Sequence, residues 1–306
     1  MVFFGTSTFA VPALRRVASS VVTVVSQPDR PRGRKLELHA SPVSETALER
    51  GLPLLRPEKA RDPDFIAEIE ALQADLMVVA AYGQILKPRL LEATRQGAFN
   101  LHGSLLPAYR GAAPIQHAIL SGETRTGVSL MQMDAGMDTG DEIARVETEI
   151  EPEETYGQLH DRLAELAGEL LSSWIDRLAV GDYARVPQDS EKATYAPKIE
   201  RADAELRFEE DAFRTFCRFR AVTPTPGATL ATRFGRIKVL QAQRGYLQSE
   251  SGTEPGLVRA TTPDLEVTWP EGSLRLLWVQ PEGKKPMSGR DWANGVRLTP
   301  GTQLRP

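Results

Sequence analysis

The sequence has one cysteine, four histidines and no long apolar run, and each shortage excludes a class of protein. Cys217 has no partner for a disulfide within the chain, and no Cys or His spacing predicts a zinc site. The longest apolar stretch, Leu76–Tyr82, is far shorter than the roughly 20 residues of a membrane-spanning helix. Met1 leads directly into an apolar segment without a basic region or cleavage site. We therefore expect no export signal and a cytoplasmic protein.

Length and composition predict an ordinary globular protein of two domains. The chain has 306 residues, of which 25% are charged and 41% hydrophobic. The net charge of −4 is uneven, since residues 1–200 carry 21 Lys and Arg against 29 Asp and Glu, and residues 201–306 carry 16 against 12. A net of −8 followed by a net of +4 suits a polyanionic partner that touches only part of the protein. Differences in charge that serve solubility alone would give the same counts.

Short β-rich apolar runs alternate with helical patterns over the first 180 residues. The apolar runs are Val2–Phe4, Val21–Val25, Leu76–Ala81, Gly97–His102 and Val128–Met133. This alternation is typical of an α/β domain with a doubly wound parallel sheet, which is a Rossmann-like architecture. The turn after the first run, Gly5-Thr6-Ser7, lacks the complete G-x-G-x-x-G pattern. We therefore do not predict a dinucleotide site.

The pattern of predicted secondary structure changes after residue 183. A long amphipathic helix is predicted over Thr155–Leu178 and ends at Gly181, and residues 184–200 are polar and without periodicity. Beyond them lie short strands separated by turn residues, which favour a small β-barrel of the oligonucleotide-binding (OB-like) type. We predict a catalytic domain over residues 1–183, a linker over residues 184–200 and an OB-like domain over residues 201–306.

The most informative window lies between Asn100 and Gly140. It contains N-L-H-G-S-L-L-P from Asn100, R-G-A-A-P from Arg110, and M-D-A-G-M-D-T-G from Met133. Asn100 and His102 are two residues apart on a predicted strand, so their side chains point to the same side. An amide donor, an imidazole that can be a charged donor, and the carboxylate of Asp138 are the groups that acyl transfer to an amine requires.

These blocks and their spacing resemble the folate-dependent formyltransferases. His102 and Asp138 are 36 residues apart, and the continuation to Gln116 is similar to that of the methionyl-tRNA formyltransferases within that family. The resemblance extends from Gly5 to the C-terminal P-G-T-Q-L, with departures at Ser7, where proline is usual, and at Thr225, where an aromatic residue is common. It implies transfer of a formyl group from 10-formyltetrahydrofolate to the amino group of methionyl-initiator-tRNA, without a metal.

The resemblance also implies roles for particular residues of this window. Asn100 and His102 would donate to the oxyanion of the tetrahedral intermediate, and Asp138 would orient the imidazole, keep it charged and relay a proton. Apolar groups in a proline-terminated loop would form a wall for the pterin of tetrahydrofolate, and these loop residues are Ser104, Leu105, Leu106 and Pro107. The segment Tyr82–Leu86 and the backbone of Asp134–Asp138 would complete that pocket.

Two basic elements predict contacts with tRNA. The loop Gln27–Lys35 carries four cations, namely Arg30, Arg32, Arg34 and Lys35. It is similar to the insertion by which the family recognises the initiator acceptor stem, and by position Arg34 is its main contributor. Lys284 and Lys285, in Q-P-E-G-K-K-P-M-S, are the second predicted contact with the RNA backbone.

Two other functions remain open on the sequence. A formyltransferase for glycinamide ribonucleotide or an amino-sugar nucleotide would use the same three catalytic residues, but a small acceptor gives no reason for the basic elements. A catalytically silent RNA-binding or folate-binding protein would have no use for Asn100, His102 and Asp138 together. We expect a monomer that does not bind membranes.

Overall fold

The computed structural model describes residues 1–32, 37–245 and 254–306, which form two compact units. The first unit comprises Met1–Pro114, Arg125–Glu149 and His160–Ala196. The second comprises Ile115–Thr124, Ile150–Leu159 and Pro197–Pro306. The domain limits inferred from the sequence stay a prediction.

The strands are β1 (Val2–Gly5), β2 (Thr23–Val25), β3 (Arg30–Arg32), β4 (Glu37–His39), β5 (Leu54–Leu55), β6 (Met77–Ala80), β7 (Ala98–His102), β8 (Arg125–Gln132), β9 (Glu142–Glu149), β10 (Glu205–Leu206), β11 (Thr229–Thr232), β12 (Gly235–Arg244), β13 (Val258–Ala260), β14 (Leu265–Trp269), β15 (Gly272–Pro281) and β16 (Met287–Ser288). The α-helices are α1 (Val11–Val17), α2 (Pro42–Glu49), α3 (Pro63–Ala71), α4 (Pro88–Leu91), α5 (Pro114–Leu120), α6 (Tyr156–Val180), α7 (Ala212–Ala221) and α8 (Gly289–Gly295).

The first unit is built on a seven-stranded sheet with the order β5-β2-β1-β6-β7-β8-β9. The five strands from β5 to β7 are parallel, while β8 and β9 run antiparallel to their neighbours. Every residue of β1 and β6 is buried, as expected for central parallel strands, which are covered on both faces. The predicted α/β class is confirmed, with an antiparallel edge on a parallel sheet.

Local sequence signals determine where the helices of this unit begin and end. Proline occupies the first position of α2, α3 and α4, where no backbone N–H is needed. The Ser41 hydroxyl accepts from the N–H of Ser44 at 3.0 Å, and the Asp62 carboxylate accepts from that of Asp64 at 3.0 Å. Gly181, at φ +78°, follows the last turn of α6. The apolar faces of α3 and α4 then pack on β1 and β6 in one core cluster.

The second unit is built on a sheet with the order β10-β11-β12-β15-β14-β13, and β16 pairs with β15. Its longest pairings, β12 with β15 and β14 with β15, are antiparallel. The core of this unit contains the inward side chains of these strands together with Phe216 and Phe219 of α7 and Trp292 of α8. Cys217 of α7 is a buried free thiol.

None of the helices in the described ranges has the length and apolar character needed to cross a membrane. Within the same ranges no group of three or more His, Cys, Asp or Glu side chains is arranged to hold a metal ion. In the predicted basic loop, the described residues Arg30–Arg32 form β3, which pairs antiparallel with β4 so that Arg30 lies opposite His39.

Candidate functional site

Asn100 and His102 lie on β7, next to the point where the parallel part of the sheet ends. This strand pairs with β6 on one side and β8 on the other, with Asn100 opposite Met131 and His102 opposite Ser129. Because side chains alternate along a strand, the amide and the imidazole share one face. His102 is buried, with 5% of its surface exposed, whereas Asn100 is partly exposed.

Asp138 approaches this face from the loop that joins β8 to β9. Its Oδ2 lies 3.7 Å from His102 Nδ1, and its Oδ1 accepts a long hydrogen bond of 3.5 Å from Asn100 Nδ2. The shortest contact of the carboxylate is with the N–H of Gly111, which donates to Oδ2 at 2.8 Å. The three predicted catalytic residues are therefore brought together, with the carboxylate facing both of the others. Catalytic contacts are commonly long before substrate binds.

The second ring nitrogen of His102 is held by the backbone. Nε2 lies 2.9 Å from the carbonyl oxygen of Tyr109. A carbonyl can only accept, so Nε2 carries a hydrogen and donates it. Nδ1 then faces the Asp138 carboxylate, whose Oδ2 lies 3.7 Å away. Both ring nitrogens face protein atoms, so a substrate oxyanion must share or displace the Tyr109 contact to receive the Nε2–H group.

The predicted folate loop follows directly after β7 and is held by hydrogen bonds that include one at Ser104 and one at Leu106. The Ser104 hydroxyl donates to the carbonyl of Ala108 at 2.6 Å, and the N–H of Leu106 donates to the Ser129 hydroxyl at 3.1 Å. Ser104 and Leu106 are buried, at 0% and 1% exposure, whereas Leu105 and Pro107 are partly exposed. Of the four residues predicted to line the pterin, Leu105 and Pro107 thus have surface available for contact, while Ser104 and Leu106 support the loop.

Behind this loop lies a buried polar chain that the sequence did not reveal. The Ser129 hydroxyl that accepts from Leu106 donates in turn to Glu142 Oε1 at 3.0 Å. Glu142 is 6% exposed, and its other carboxylate oxygen pairs with Arg145. A buried carboxylate is stable only when it is paired and hydrogen-bonded, and these two partners meet that requirement.

The segment Tyr82–Leu86, which was predicted to complete the pocket, combines a buried and an exposed end. Tyr82 is 2% exposed and packs edge-on against Phe4 at 5.2 Å between ring centroids, and burial raises the pKa of its hydroxyl to about 12. Ile85, by contrast, is 83% exposed. The backbone is held at the Tyr82 carbonyl, which accepts from Thr6 Oγ1 and from Gln27 Nε2, both at 2.8 Å.

The residues predicted to contact tRNA are only partly described. Arg30 is exposed and donates weakly to Gln27 Oε1 at 3.4 Å. Arg32 has a described backbone in β3, whereas Arg34 and Lys35 lie outside the described residues. Lys284 and Lys285 are both exposed in the turn between β15 and β16 of the second unit.

Sequence reasoning missed a residue that contacts the loop of Asp138. Gln188 Nε2 donates to the carbonyl oxygens of Asp138 and Gly140, at 2.9 and 2.7 Å. Its Oε1 accepts two bonds from the Arg110 guanidinium, at 3.1 and 2.7 Å. Gln188 lies 50 positions from Asp138 in a polar segment without periodicity, so no local signal in the sequence could have identified it.

This arrangement suits the collapse of a tetrahedral intermediate at a carbonyl carbon. An amide N–H and an imidazole N–H on one strand face provide donors for an oxyanion, and the adjacent carboxylate can hold or move a proton. Because the acceptor amine is itself the nucleophile, a site made of Asn100, His102 and Asp138 requires no side-chain nucleophile.

Two family models cover most of the chain. Residues 2–175 match the formyl transferase model, and residues 198–297 match the model of the formyl transferase C-terminal domain. A methionyl-tRNA formyltransferase of Myxococcus xanthus is 46% identical over 306 residues, covering 99% of this chain and 97% of the relative. Another, from Symbiobacterium thermophilum, is 42% identical over 311 residues and covers 100% and 95%.

A solved structure supports the same fold at lower identity. The N-formyltransferase of Helicobacter canadensis, in complex with folinic acid and dTDP-3-aminofucose, superposes with a TM-score of 0.67 at 18% identity, over 92% of this chain and 98% of its own. The expected resemblance is confirmed along the whole chain, which belongs to the formyl transferase family and, within it, to the methionyl-tRNA formyltransferases.

Proposed function

We propose that Asn100, His102 and Asp138 carry out formyl transfer from 10-formyltetrahydrofolate to the amino group of methionyl-initiator-tRNA. The observation that carries this assignment is the convergence of the three side chains, with the Asp138 carboxylate 3.7 Å from His102 Nδ1 and 3.5 Å from Asn100 Nδ2. Relatives more than 40% identical over nearly the full chain are methionyl-tRNA formyltransferases, which favours a tRNA acceptor over a small amine.

The chemistry begins when the neutral amine of the methionyl group attacks the formyl carbon. A C–N bond forms, the carbonyl oxygen becomes an oxyanion, and the attacking nitrogen becomes cationic. Asn100 Nδ2 and the Nε2–H of His102 are the donors available to the oxyanion, and such a donor commonly contributes on the order of 10²–10³ in rate. The Nε2–H is the group now held by the Tyr109 carbonyl. When the oxyanion binds, the Nε2–H of His102 therefore changes its acceptor from the Tyr109 carbonyl to the oxyanion.

Collapse of the intermediate then requires a proton to move. The bond between the formyl carbon and N10 of the folate breaks, and N10 leaves as an amine once it has gained a proton. Asp138 can accept the proton that the attacking nitrogen loses and pass it to N10, directly or through water. Its side chain is 17% exposed, so solvent can reach it. The products are tetrahydrofolate and N-formylmethionyl-tRNA.

The folate moiety would lie against the loop after β7. Leu105 and Pro107 are the partly exposed apolar residues of that loop, and a rigid apolar wall suits a flat pterin. Ser104 and Leu106 would maintain its shape from inside. A folate donor fits this surface, and its N10-formyl form is the donor whose leaving group the Asp138 relay would protonate.

The tRNA would be held by exposed cations. Arg30, Lys284 and Lys285 have exposed side chains, and Arg32, Arg34 and Lys35 are added from the sequence pattern of the basic loop. Phosphate contacts make the affinity fall with salt. We further propose that a single copy of the chain acts in the cytoplasm.

The activity is tested by transfer of a labelled formyl group from 10-formyltetrahydrofolate to three acceptors. We expect methionyl-initiator-tRNA to be formylated, and glycinamide ribonucleotide and an amino-sugar nucleotide to remain unlabelled. Preferential labelling of a small amine would overturn the proposed acceptor.

The tRNA contacts are tested by the salt dependence of binding. Replacing both Lys284 and Lys285 with alanine should lower the slope of log affinity against log salt by about two, because each lysine is expected to neutralise one phosphate. Lys59→Ala, at an exposed lysine of the first unit, serves as the matched control and should leave the slope unchanged. An unaltered slope in the double variant would remove these two lysines from the interface.

A further inference from the structure

Residues 186–196, which we call the strap, belong to the first unit and come later in the chain than the loops that carry Gly111 and Asp138. They lie between the ranges matched by the two family models. One end of the strap pairs with the start of β9, where Val186 and Glu142 exchange both backbone hydrogen bonds at 2.9 Å. Glu142 is the buried carboxylate that supports the folate loop through Ser129. The strap is thus attached beside the loop that carries Asp138.

The other end of the strap pairs with the loop after β7. The N–H of Arg110 donates to the Thr194 carbonyl at 2.9 Å, and the N–H of Ala196 donates to the Arg110 carbonyl at 2.7 Å. The Thr194 hydroxyl also accepts from the N–H of Tyr109 at 2.8 Å. Tyr109 provides the carbonyl that holds His102 Nε2. This end of the strap therefore fixes the position of the Tyr109 backbone, whose carbonyl contacts the His102 imidazole.

Close packing between the strap and this loop depends on Gly111. Its φ of +119° is one that residues with side chains rarely adopt, and a Cβ there would lie 2.8 Å from the Ala196 carbonyl oxygen. Gly111 is also the residue whose N–H donates to Asp138 Oδ2. The contact with the strap and the contact with the carboxylate are thus made by one residue.

Gln188 lies between the two ends and uses both halves of its amide. Its Nε2 donates to the carbonyls of Asp138 and Gly140, and its Oε1 accepts both bonds from Arg110. The Arg110 side chain is buried, with 3% of the residue exposed. One amide thereby joins the loop of Arg110 and Gly111 to the loop of Asp138, with all its donors and acceptors occupied.

Asp138 needs this support because of its backbone. Its φ is +53°, in the left-handed region that costs a non-glycine residue on the order of 1 kcal/mol and that persists only where surrounding contacts enforce it. The carbonyl of Asp138 points to Gln188 while its carboxylate accepts from Gly111. One contact at the backbone carbonyl and one at the carboxylate thus hold the left-handed conformation that places the carboxylate near His102.

We propose that Gln188 is a positioning residue for formyl transfer, and that through it the strap holds the Asp138 carboxylate against His102 and Asn100. The inference rests on the proposed catalytic role of Asp138. It assigns to the strap, which both family models leave out, a part in building the catalytic site.

The experiment is a double-mutant cycle between Gln188→Glu and Asp138→Asn, measured as steady-state formyl transfer to methionyl-tRNA. A glutamate at 188 has the same length and keeps an acceptor for Arg110, but it replaces the two donors with an oxygen that faces the carbonyls of Asp138 and Gly140. We expect kcat to fall about 10- to 100-fold, on the scale expected when hydrogen bonds to one catalytic loop are removed. KM for tRNA should be unchanged, because no tRNA contact is altered.

The cycle separates positioning from general stability. If Gln188 acts through Asp138, Gln188→Glu should cost little further activity in the Asp138→Asn background. Any decrease in thermal stability, by contrast, should appear in both backgrounds. Gln303→Glu is the matched control, since Gln303 also donates to a backbone carbonyl, that of Pro255 at 3.2 Å in the second unit. It should leave kcat unchanged.

Each outcome decides the proposal. Retained kcat in Gln188→Glu, or a decrease that adds fully to that of Asp138→Asn, would overturn it. If Asp138→Asn alone retained activity, the proposed function of Asp138 would fail instead, which is a distinguishable result. Should Gln188→Glu not fold, Gln188→Asn, whose side chain is one methylene shorter and cannot span both loops, enters the same cycle with the same criteria.

Discussion

Replacing Asp138 with asparagine tests the catalytic assignment most directly, because the substitution removes the charge and keeps the shape. Donors face both carboxylate oxygens, the Gly111 N–H at Oδ2 and the Asn100 amide at Oδ1. The new NH₂ group must therefore face another donor in either orientation. The cheaper orientation keeps the 2.8 Å bond from Gly111 and places the NH₂ group against Asn100, where the existing contact is only 3.5 Å.

The structure predicts that this variant folds but does not turn over. Removing one partly buried hydrogen bond should cost at most about 1–3 kcal/mol of unfolding free energy. Removing the carboxylate takes away the group that faces His102 and accepts the proton, which should lower kcat by about 10²–10⁴. Affinity for tRNA should be nearly unaffected, because no predicted phosphate contact involves Asp138.

The assay is steady-state transfer of labelled formyl to methionyl-initiator-tRNA, with tRNA affinity measured separately by filter binding. Asp182→Asn provides the same chemical change at an exposed carboxylate that pairs with Arg177. It should retain the full rate. If Asp138→Asn turned over as fast as this control while binding tRNA normally, the proton relay through Asp138 would be refuted.

Three further substitutions test other parts of the site. Asn100→Ala removes an oxyanion donor and should lower kcat by about 10²–10³ in the same assay, and an unchanged kcat would exclude that role. Ser129→Ala leaves the Leu106 N–H and Glu142 Oε1 without the hydroxyl that they share. Thermal unfolding should therefore begin at a lower temperature and KM for the folate should rise. A KM equal to that of the unsubstituted protein would show that this loop does not contribute to folate binding. Tyr82 Oη is buried without a hydrogen-bond partner among the described atoms, so Tyr82→Phe should preserve or increase the urea-unfolding free energy by up to about 1 kcal/mol, and a clear decrease would reveal an interaction of the hydroxyl.

Much of the fold could be predicted because its signals are local. The continuous apolar run at Leu76–Ala81 predicted a central parallel strand, and β6 is buried at every position. Gly181 ends α6 as expected, because glycine adopts the positive φ that follows a helix. The antiparallel pairing of β8 with both β7 and β9 could not be predicted in this way, since the direction of a strand depends on the path of the chain between strands.

The part of the site that lies within one short segment of sequence was predictable. Asn100 and His102 share a face because they are two positions apart, a property of any strand. Which side chains of Ser104–Pro107 remain exposed was not predictable, because Leu106 and Leu105 have the same chemistry. In the fold, Leu106 is buried and its N–H is held by Ser129 of the neighbouring strand, whereas Leu105 is partly exposed.

The amino-acid sequence by itself determined the fold class, the family and the chemistry, because strand periodicity and a motif of specified residue types are written locally in the chain. Only the tertiary structure decided how Asp138 is held. Its carboxylate depends on Gly111 and its left-handed backbone on Gln188, which are 27 and 50 positions away. Contacts over such separations arise from the packing of loops around a sheet, and no short segment of sequence contains the information that brings them together.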